Sequence, residues 1–104
     1  MAERALKTYR VRIDPELIDI VPVFIAHRRQ DVASLQDALA HGDSSLIRKI
    51  AHNLKGAGSS FGFDTVSAIG ERMERAATQG RWPAVAYFIN LLARYLETVE
   101  PVCE

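Results

Sequence analysis

The chain is organised around one stretch, which reads His52-Asn53-Leu54-Lys55-Gly56-Ala57-Gly58-Ser59-Ser60-Phe61-Gly62. Apolar residues in and just before it recur every three or four positions, as on one buried face of an α-helix: Ile47, Ile50, Leu54, Ala57 and Phe61. A helix turns about 100° per residue, so His52 falls roughly opposite the centre of that stripe. The pattern predicts a helix from about Ser44 to Phe61 that holds the imidazole of His52 out in solvent.

The same angular placement surrounds His52 with cations and small polar residues, namely Ser45, Arg48, Lys49, Lys55, Gly56 and Ser59. Neutral imidazole is a nucleophile near pH 7. The ammonium group of Lys55, one turn further on, is placed to neutralise a transferring phosphoryl group. Gly56 costs about 0.5–1 kcal/mol relative to Ala inside a helix. We interpret that glycine as room for a phosphoryl group or for the backbone of a docking partner, whereas Gly58, nearer the buried stripe, indicates close helix–helix approach.

His52-x-Leu54-Lys55-Gly56 followed by Gly62 resembles the H-x-L-K-G-x-x-x-x-x-G motif of histidine-containing phosphotransfer (HPt) domains, of the free-standing bacterial type. The similarity extends from about Asp14 to about Val99. The resemblance implies an all-α four-helix bundle in which His52 carries a phosphoryl group and exchanges it with the aspartate of a receiver domain. It also implies that Nε2 is the reacting nitrogen and that the receiver supplies magnesium, so we expect no cofactor in this chain.

Length, charge and cysteine usage restrict the class of protein. The 104 residues suffice for one small domain with one core. Thirteen basic and thirteen acidic residues cancel, which argues against a nucleic-acid binder that works by bulk charge. The single cysteine, Cys103, forms no internal disulfide, as expected in a reducing cytoplasm. The first residues lack the apolar region of a signal peptide, and no apolar run approaches the roughly 20 residues of a membrane span. We expect a soluble, cytoplasmic protein and, from the family resemblance, a monomer.

Two predicted segments precede the helix that carries His52. Residues 1–13 end in an alternating pattern without a second strand candidate nearby, so we expect an extended N-terminal arm, followed by an HPt-like bundle over residues 14–104. An Asp-Pro pair starts a short additional helix. Pro22 is expected to kink or split the run, so that a long helix extends from there to about His41, before Gly42.

Capping residues and glycines bound the other helices. Asp43 is expected to cap the helix that carries His52, and Gly62 to end it in a left-handed turn. Asp64 is expected to cap the next helix, which stops at Gly80, and the last helix opens at Trp82 and stops at Pro101. Loops of about two to four residues force neighbouring helices to be antiparallel, giving an up-down-up-down bundle. Phe61 and Phe63 are expected to lie in its core.

Other kinds of site fit the sequence poorly. The glycines at 56, 58 and 62 do not have dinucleotide-loop spacing, and no strand precedes them. Without an ATP site the chain is expected to be a phosphocarrier rather than an enzyme. Its three histidines are not grouped at metal-ligand spacing. Four charged residues have the spacing of a solvated helix face, and we assign them no role: Glu71, Arg72, Glu74 and Arg75.

We interpret the chain as a phosphorelay intermediate whose partner is the receiver domain of a response regulator or of a hybrid histidine kinase. The predicted site has His52 as phosphoacceptor with Lys55 and Gly56, supported by Arg48, Lys49, Ser59 and Gly62. For Ser59 two roles stay open: a hydrogen bond to a phosphoryl oxygen or to the imidazole, or a solvated hydroxyl. The alternative function is a non-catalytic bundle that binds and sequesters a kinase or receiver. A fragment of a larger sensor is a third, weaker reading.

Overall fold

A computed structural model describes the backbone of residues 9–103 and the side chains of residues 10–102. Four helices form the bundle: α1 (Val21–Ala40), α2 (Ser44–Ser60), α3 (Asp64–Thr78) and α4 (Trp82–Thr98). Each helix contacts the next, and α4 also contacts α1, so the four helices close a ring. The predicted all-α four-helix bundle is confirmed. Residues 1–8 of the predicted arm and the side chain of Cys103 lie outside the described part of the chain.

The helix that carries His52 has the predicted boundaries to within one residue. Asp43 is its N-cap, where Oδ1 accepts a hydrogen bond from the backbone N–H of Leu46 at 3.1 Å. Gly62 follows the helix with a φ of +83°, the left-handed conformation that a side chain disfavours. The local sequence therefore determines both ends of the element that presents the candidate site.

The short additional N-terminal helix is not clearly formed. Among the described residues, the helical structure before α1 is limited to a three-residue 3-10 turn, Ile18–Ile20. Pro22 lies in the first turn of α1, where the helix requires no backbone donor. The long helix therefore has its predicted bounds to within one residue, and the 3-10 turn ends just before it. At α3 the N-cap is Phe63, and Asp64 is the first helical residue, where its charge favours the positive end of the helix dipole.

Both ends of the described chain meet in a small sheet that the sequence pattern did not indicate. Strand β1 (Tyr9–Ile13) pairs in parallel with β2 (Val99–Cys103). Helix α4 stops at Thr98, earlier than the predicted stop at Pro101, because Val99 is extended and Glu100 precedes a proline. The side chain of Ile13 is buried, so this sheet belongs to the packed structure. The division into an arm (residues 1–13) and a bundle (residues 14–104) stays a prediction.

The apolar stripes of the four helices form one core. Ile47, Ile50 and Leu54 of the predicted stripe are buried. Phe63 is fully buried, and Phe61 is partly buried against the core. Rings also join the start of α1 to the turn between α2 and α3, since the centroid of Phe24 lies 5.1 Å from that of Phe61 and 4.7 Å from that of Phe63. Among residues 9–103 no helix combines the length and apolar character needed to cross a membrane.

Helices α2 and α3 approach each other closely because each presents a glycine to the other. A Cβ on Gly58 would lie 2.5 Å from the backbone nitrogen of Ser67. A Cβ on Gly70 would lie 2.8 Å from the carbonyl oxygen of Ala51 and 2.8 Å from the backbone nitrogen of Lys55. These distances leave no space for a methyl group at either position. The interpretation of Gly58 as a close-approach residue agrees with this geometry, and Gly70 is its counterpart on α3.

The two kinds of helical glycine respond oppositely to alanine. Gly70→Ala is expected to lower the free energy of unfolding by about 1–3 kcal/mol, because its Cβ overpacks the α2–α3 contact. Gly56→Ala is expected to raise it by about 0.5–1 kcal/mol, because a Cβ there meets nothing within 4 Å. Urea unfolding followed by circular dichroism measures both. Equal effects at the two positions would contradict the close α2–α3 approach.

Candidate functional site

The side chain of His52 lies on the outer face of α2, as the helical angles predict. It is 68% exposed, so a protein partner reaches the ring without displacing another helix. Ala51 and Leu54, which lie just before and just after His52 and face inward, are fully buried. They anchor this turn of the helix in the core. The helix therefore fixes the position of an imidazole while leaving it in contact with solvent.

One ring nitrogen of His52 faces a carboxylate from the neighbouring helix. Nδ1 of His52 lies 3.2 Å from Oε2 of Glu74, whose side chain is 32% exposed. A neutral imidazole carries its proton on one nitrogen and a lone pair on the other. A carboxylate beside Nδ1 favours the tautomer with the proton on Nδ1, as a second group commonly orients a functional histidine. The lone pair then lies on Nε2.

Glu74 is the residue of this site that the sequence patterns missed, since we assigned it to a solvated face. Its charge and spacing on α3 alone do not distinguish it from its neighbours. A usable signal exists in the hairpin, because His52 lies ten residues before Gly62 and Glu74 lies twelve residues after it. Antiparallel helices joined by a short loop place such residues side by side. The pairing also needs the close approach at Gly70, one turn before Glu74.

Predicted cations lie on the same exposed face of α2. Arg48, Lys49 and Lys55 are all exposed. Arg48 donates a 3.4 Å hydrogen bond to Oγ of Ser44, and within residues 9–103 no carboxylate pairs with Lys49 or Lys55. Lys55 lies one helical turn from His52, where side chains are neighbours on a helix surface. Positive charge is therefore available beside the ring for an incoming anion.

Gly56 leaves open space beside the exposed imidazole. A Cβ on this glycine would meet nothing within 4 Å, in contrast with Gly58 two residues on. The helix thus gains nothing internally from the missing side chain. Gly62 lies ten residues after His52, about 15 Å along the helix axis at the helical rise per residue. It shapes the turn and contributes no group beside the ring.

The hydroxyl of Ser59 contacts α3 rather than the ring. Its Oγ lies 3.0 Å from Oγ of Ser67, and the Ser67 hydroxyl donates a 2.7 Å hydrogen bond to the carbonyl oxygen of Lys55. A serine has one hydroxyl hydrogen, so Ser59 must be the donor between the two serines. Neither of the two roles we considered for Ser59 describes this arrangement, and its predicted supporting role stays a prediction.

Large apolar side chains are scarce on the exposed face of α2, and the described residues hold no cluster of metal-ligating side chains. Among the described residues, Leu46 is the exposed large apolar residue on the helix that carries His52. Within residues 9–103 no three metal-ligating side chains come together.

Comparison with known proteins gives one match. The family model described as Hpt domain matches residues 19–100 of the chain. No curated protein and no solved structure matches the chain. The matched range includes the whole of α1 to α4, and with them His52, Glu74 and the close α2–α3 contact.

Removal of the Glu74 charge is expected to change the tautomer of His52. In Glu74→Gln the fraction of neutral rings with the proton on Nδ1 should fall by about two- to fivefold, because a charge-assisted contact becomes a neutral one. The ¹⁵N chemical shifts of Nδ1 and Nε2 report this ratio. Glu71→Gln is the matched control, since Glu71 lies on the same helix and pairs with Arg75 at 3.4 Å. An unchanged ratio in Glu74→Gln would show that the carboxylate does not select the tautomer.

Proposed function

Since the chain belongs to the Hpt domain family, we propose that His52 is the residue on which it accepts and donates a phosphoryl group. Hpt domains carry histidine phosphotransfer in phosphorelay signalling and exchange phosphate with receiver domains. The observation that carries the assignment to His52 is its place in the family motif, on an exposed side chain (68%) whose Nδ1 lies 3.2 Å from a carboxylate. His41 is also exposed, with Nδ1 3.5 Å from Oδ1 of Asp37, but neither His41 nor His27 lies in the family motif.

In the proposed step, the lone pair on Nε2 of His52 attacks the phosphorus of an aspartyl-phosphate of the receiver. A P–N bond forms while the P–O bond to the aspartate breaks, and the electron pair leaves on the aspartate oxygen. The reverse step returns the group when the aspartate oxygen attacks the phosphohistidine. The receiver supplies magnesium, and this chain supplies a positioned nucleophile and positive charge.

Glu74 has two roles in this mechanism. Before transfer it keeps the proton on Nδ1, so the reacting lone pair stays on the exposed nitrogen. After attack by Nε2, the ring carries positive charge with the proton still on Nδ1. The carboxylate of Glu74 then faces that charge and offsets part of it, which favours the phosphorylated form. Since both side chains are partly exposed, water screens this interaction and limits its size.

Lys55 provides the charge that balances the phosphoryl oxygens. The group in flight carries negative charge on its equatorial oxygens, and a cation one helical turn away lowers the cost of bringing it to α2. Arg48 and Lys49 lie one turn on the other side of His52 and contribute to the same field. Gly56 gives the backbone of the docked receiver, or the phosphoryl group itself, access to this face.

We also propose that the chain is a cytoplasmic monomer without a cofactor of its own, which acts with the receiver of a response regulator or of a hybrid histidine kinase. The alternative, a bundle that only sequesters its partner, requires neither an oriented imidazole nor an adjacent free cation. Glu74 therefore favours the transfer role over that alternative.

His52→Gln is expected to abolish phosphorylation of the chain while leaving its helical circular dichroism unchanged. The substitution removes the nucleophilic nitrogen from an exposed position that supports no core packing. The measurement is acid-labile, base-stable label taken up from ³²P-labelled receivers and from phosphoramidate, a small donor that needs no docking. His27→Gln is the matched control and should be labelled like the wild type. Label on the His52→Gln protein would assign the phosphoryl group to another residue.

Lys55→Ala is expected to slow transfer from a phosphorylated receiver by about tenfold, since one charge-assisted contact to the phosphoryl oxygens is lost. Rapid-quench measurement at saturating receiver tests this, with Arg72→Ala as a control that removes an exposed cation from α3. If both variants transfer at the wild-type rate, Lys55 is only a surface charge.

A further inference from the structure

A two-hydroxyl bridge joins α2 to α3 beside the site. Ser67 on α3 donates a 2.7 Å hydrogen bond to the carbonyl oxygen of Lys55, and Ser59 lies 3.0 Å from Ser67. The carbonyl belongs to the turn of α2 that also carries Gly56. Ser67 is half-buried, whereas Ser59 is exposed. The two hydroxyls of this bridge, from Ser59 and Ser67, do not belong to residues of the family motif.

The bridge adds a directional contact to an interface that is otherwise held by apolar packing and close backbone approach. Gly58 faces the backbone of Ser67, and Gly70 faces the backbone of Ala51 and Lys55 and the Cβ of Leu54. Apolar burial is non-directional and tolerates small slides and rotations of one helix on another. A hydrogen bond is directional and weakens steeply when its angle departs from linearity. The Ser67 bond therefore opposes a slide or rotation of α3 on α2 more sharply than the apolar contacts beside it.

The alignment that the bond restricts is the one on which the His52–Glu74 contact depends. Ser67, Gly70 and Glu74 occupy one row of α3, at spacings of three and four residues, and this row faces α2. Along it, Ser67 contacts Lys55 and Glu74 contacts His52. A slide of α3 that lengthens the first contact also moves the carboxylate of Glu74 relative to Nδ1.

We propose that Ser67 is a positioning residue of the phosphotransfer site, which holds the Lys55 turn of α2 against α3 and thereby keeps His52 and Glu74 aligned. The proposal rests on the proposed role of His52. It also gives Ser59 a different role from that of a phosphoryl ligand. The hydroxyl hydrogen of Ser59 is committed to Ser67, so toward a phosphoryl oxygen Ser59 presents lone pairs rather than a donor.

The test compares Ser67→Ala and Ser67→Cys with the wild type, using the receiver that labels the wild-type chain fastest. Transfer is measured over a range of receiver concentrations to separate the rate at saturation from the half-saturating concentration. Ser67→Ala should lower the saturated rate by about tenfold. This decrease lies between that expected from one lost hydrogen bond and that expected from a nucleophile misplaced by about 1 Å. Its half-saturating concentration should stay within about twofold of the wild type, because the docking face is unchanged. The saturated rate of Ser67→Cys, whose thiol is a weak donor of similar size, should lie between those of the wild type and Ser67→Ala.

Ser60→Ala is the matched control, because Ser60 is exposed at the end of α2, and it should transfer at the wild-type rate. A wild-type saturated rate in Ser67→Ala would overturn the proposal, whatever the stability of that variant. A change confined to the half-saturating concentration would also overturn it. If Ser67→Ala does not fold, Ser67→Cys decides, and a wild-type rate there would overturn the positioning role. If only this inference fails, the wild type is still labelled and His52→Gln is not. If the proposed function fails, the two proteins no longer differ in labelling.

Discussion

The close approach of α2 and α3 is the constraint on which the rest of the site depends. It exists because Gly58 and Gly70 carry no side chains where the two backbones meet, and a Cβ on either would overlap the opposite helix. Close spacing brings two short polar contacts within reach, one from Ser67 to the Lys55 carbonyl and one from Glu74 to His52. With the helices further apart, a serine would be too short to make the first contact. The chemistry of an exposed ring thus depends on a buried backbone contact.

The glycines of this chain illustrate how the same residue serves different physical needs. Gly62 takes a positive φ and ends α2, and Gly70 permits helix contact. Gly56 does neither, because it lies mid-helix on the solvent side with open space around it. A helix retains such a residue at a cost in stability of about 0.5–1 kcal/mol. That cost has no compensation inside the bundle, which is why we relate Gly56 to a partner that docks on this face.

Much of the architecture could be predicted from the sequence because it depends on local patterns. Apolar spacing located α2 and the outward direction of His52, and the Asp43 cap and Gly62 located its ends. The missed features are non-local. Strand β1 pairs with a segment about ninety residues away, beyond any periodicity. Glu74 and Ser67 acquire their contacts only when the spacing and rotation of the two helices are known. Gly70, which permits the close spacing, is an ordinary mid-helix glycine in the sequence.

Glu74 is proposed to hold the proton on Nδ1 of His52 and so to direct phosphoryl transfer to Nε2. The most direct measurement is the position of phosphorus on the ring of the phosphorylated wild-type protein, read from ³¹P–¹⁵N couplings in a sample labelled with ¹⁵N at histidine. We expect phosphorus on Nε2 of His52, with a proton retained on Nδ1. Phosphorus on Nδ1, or on a different histidine, would contradict it.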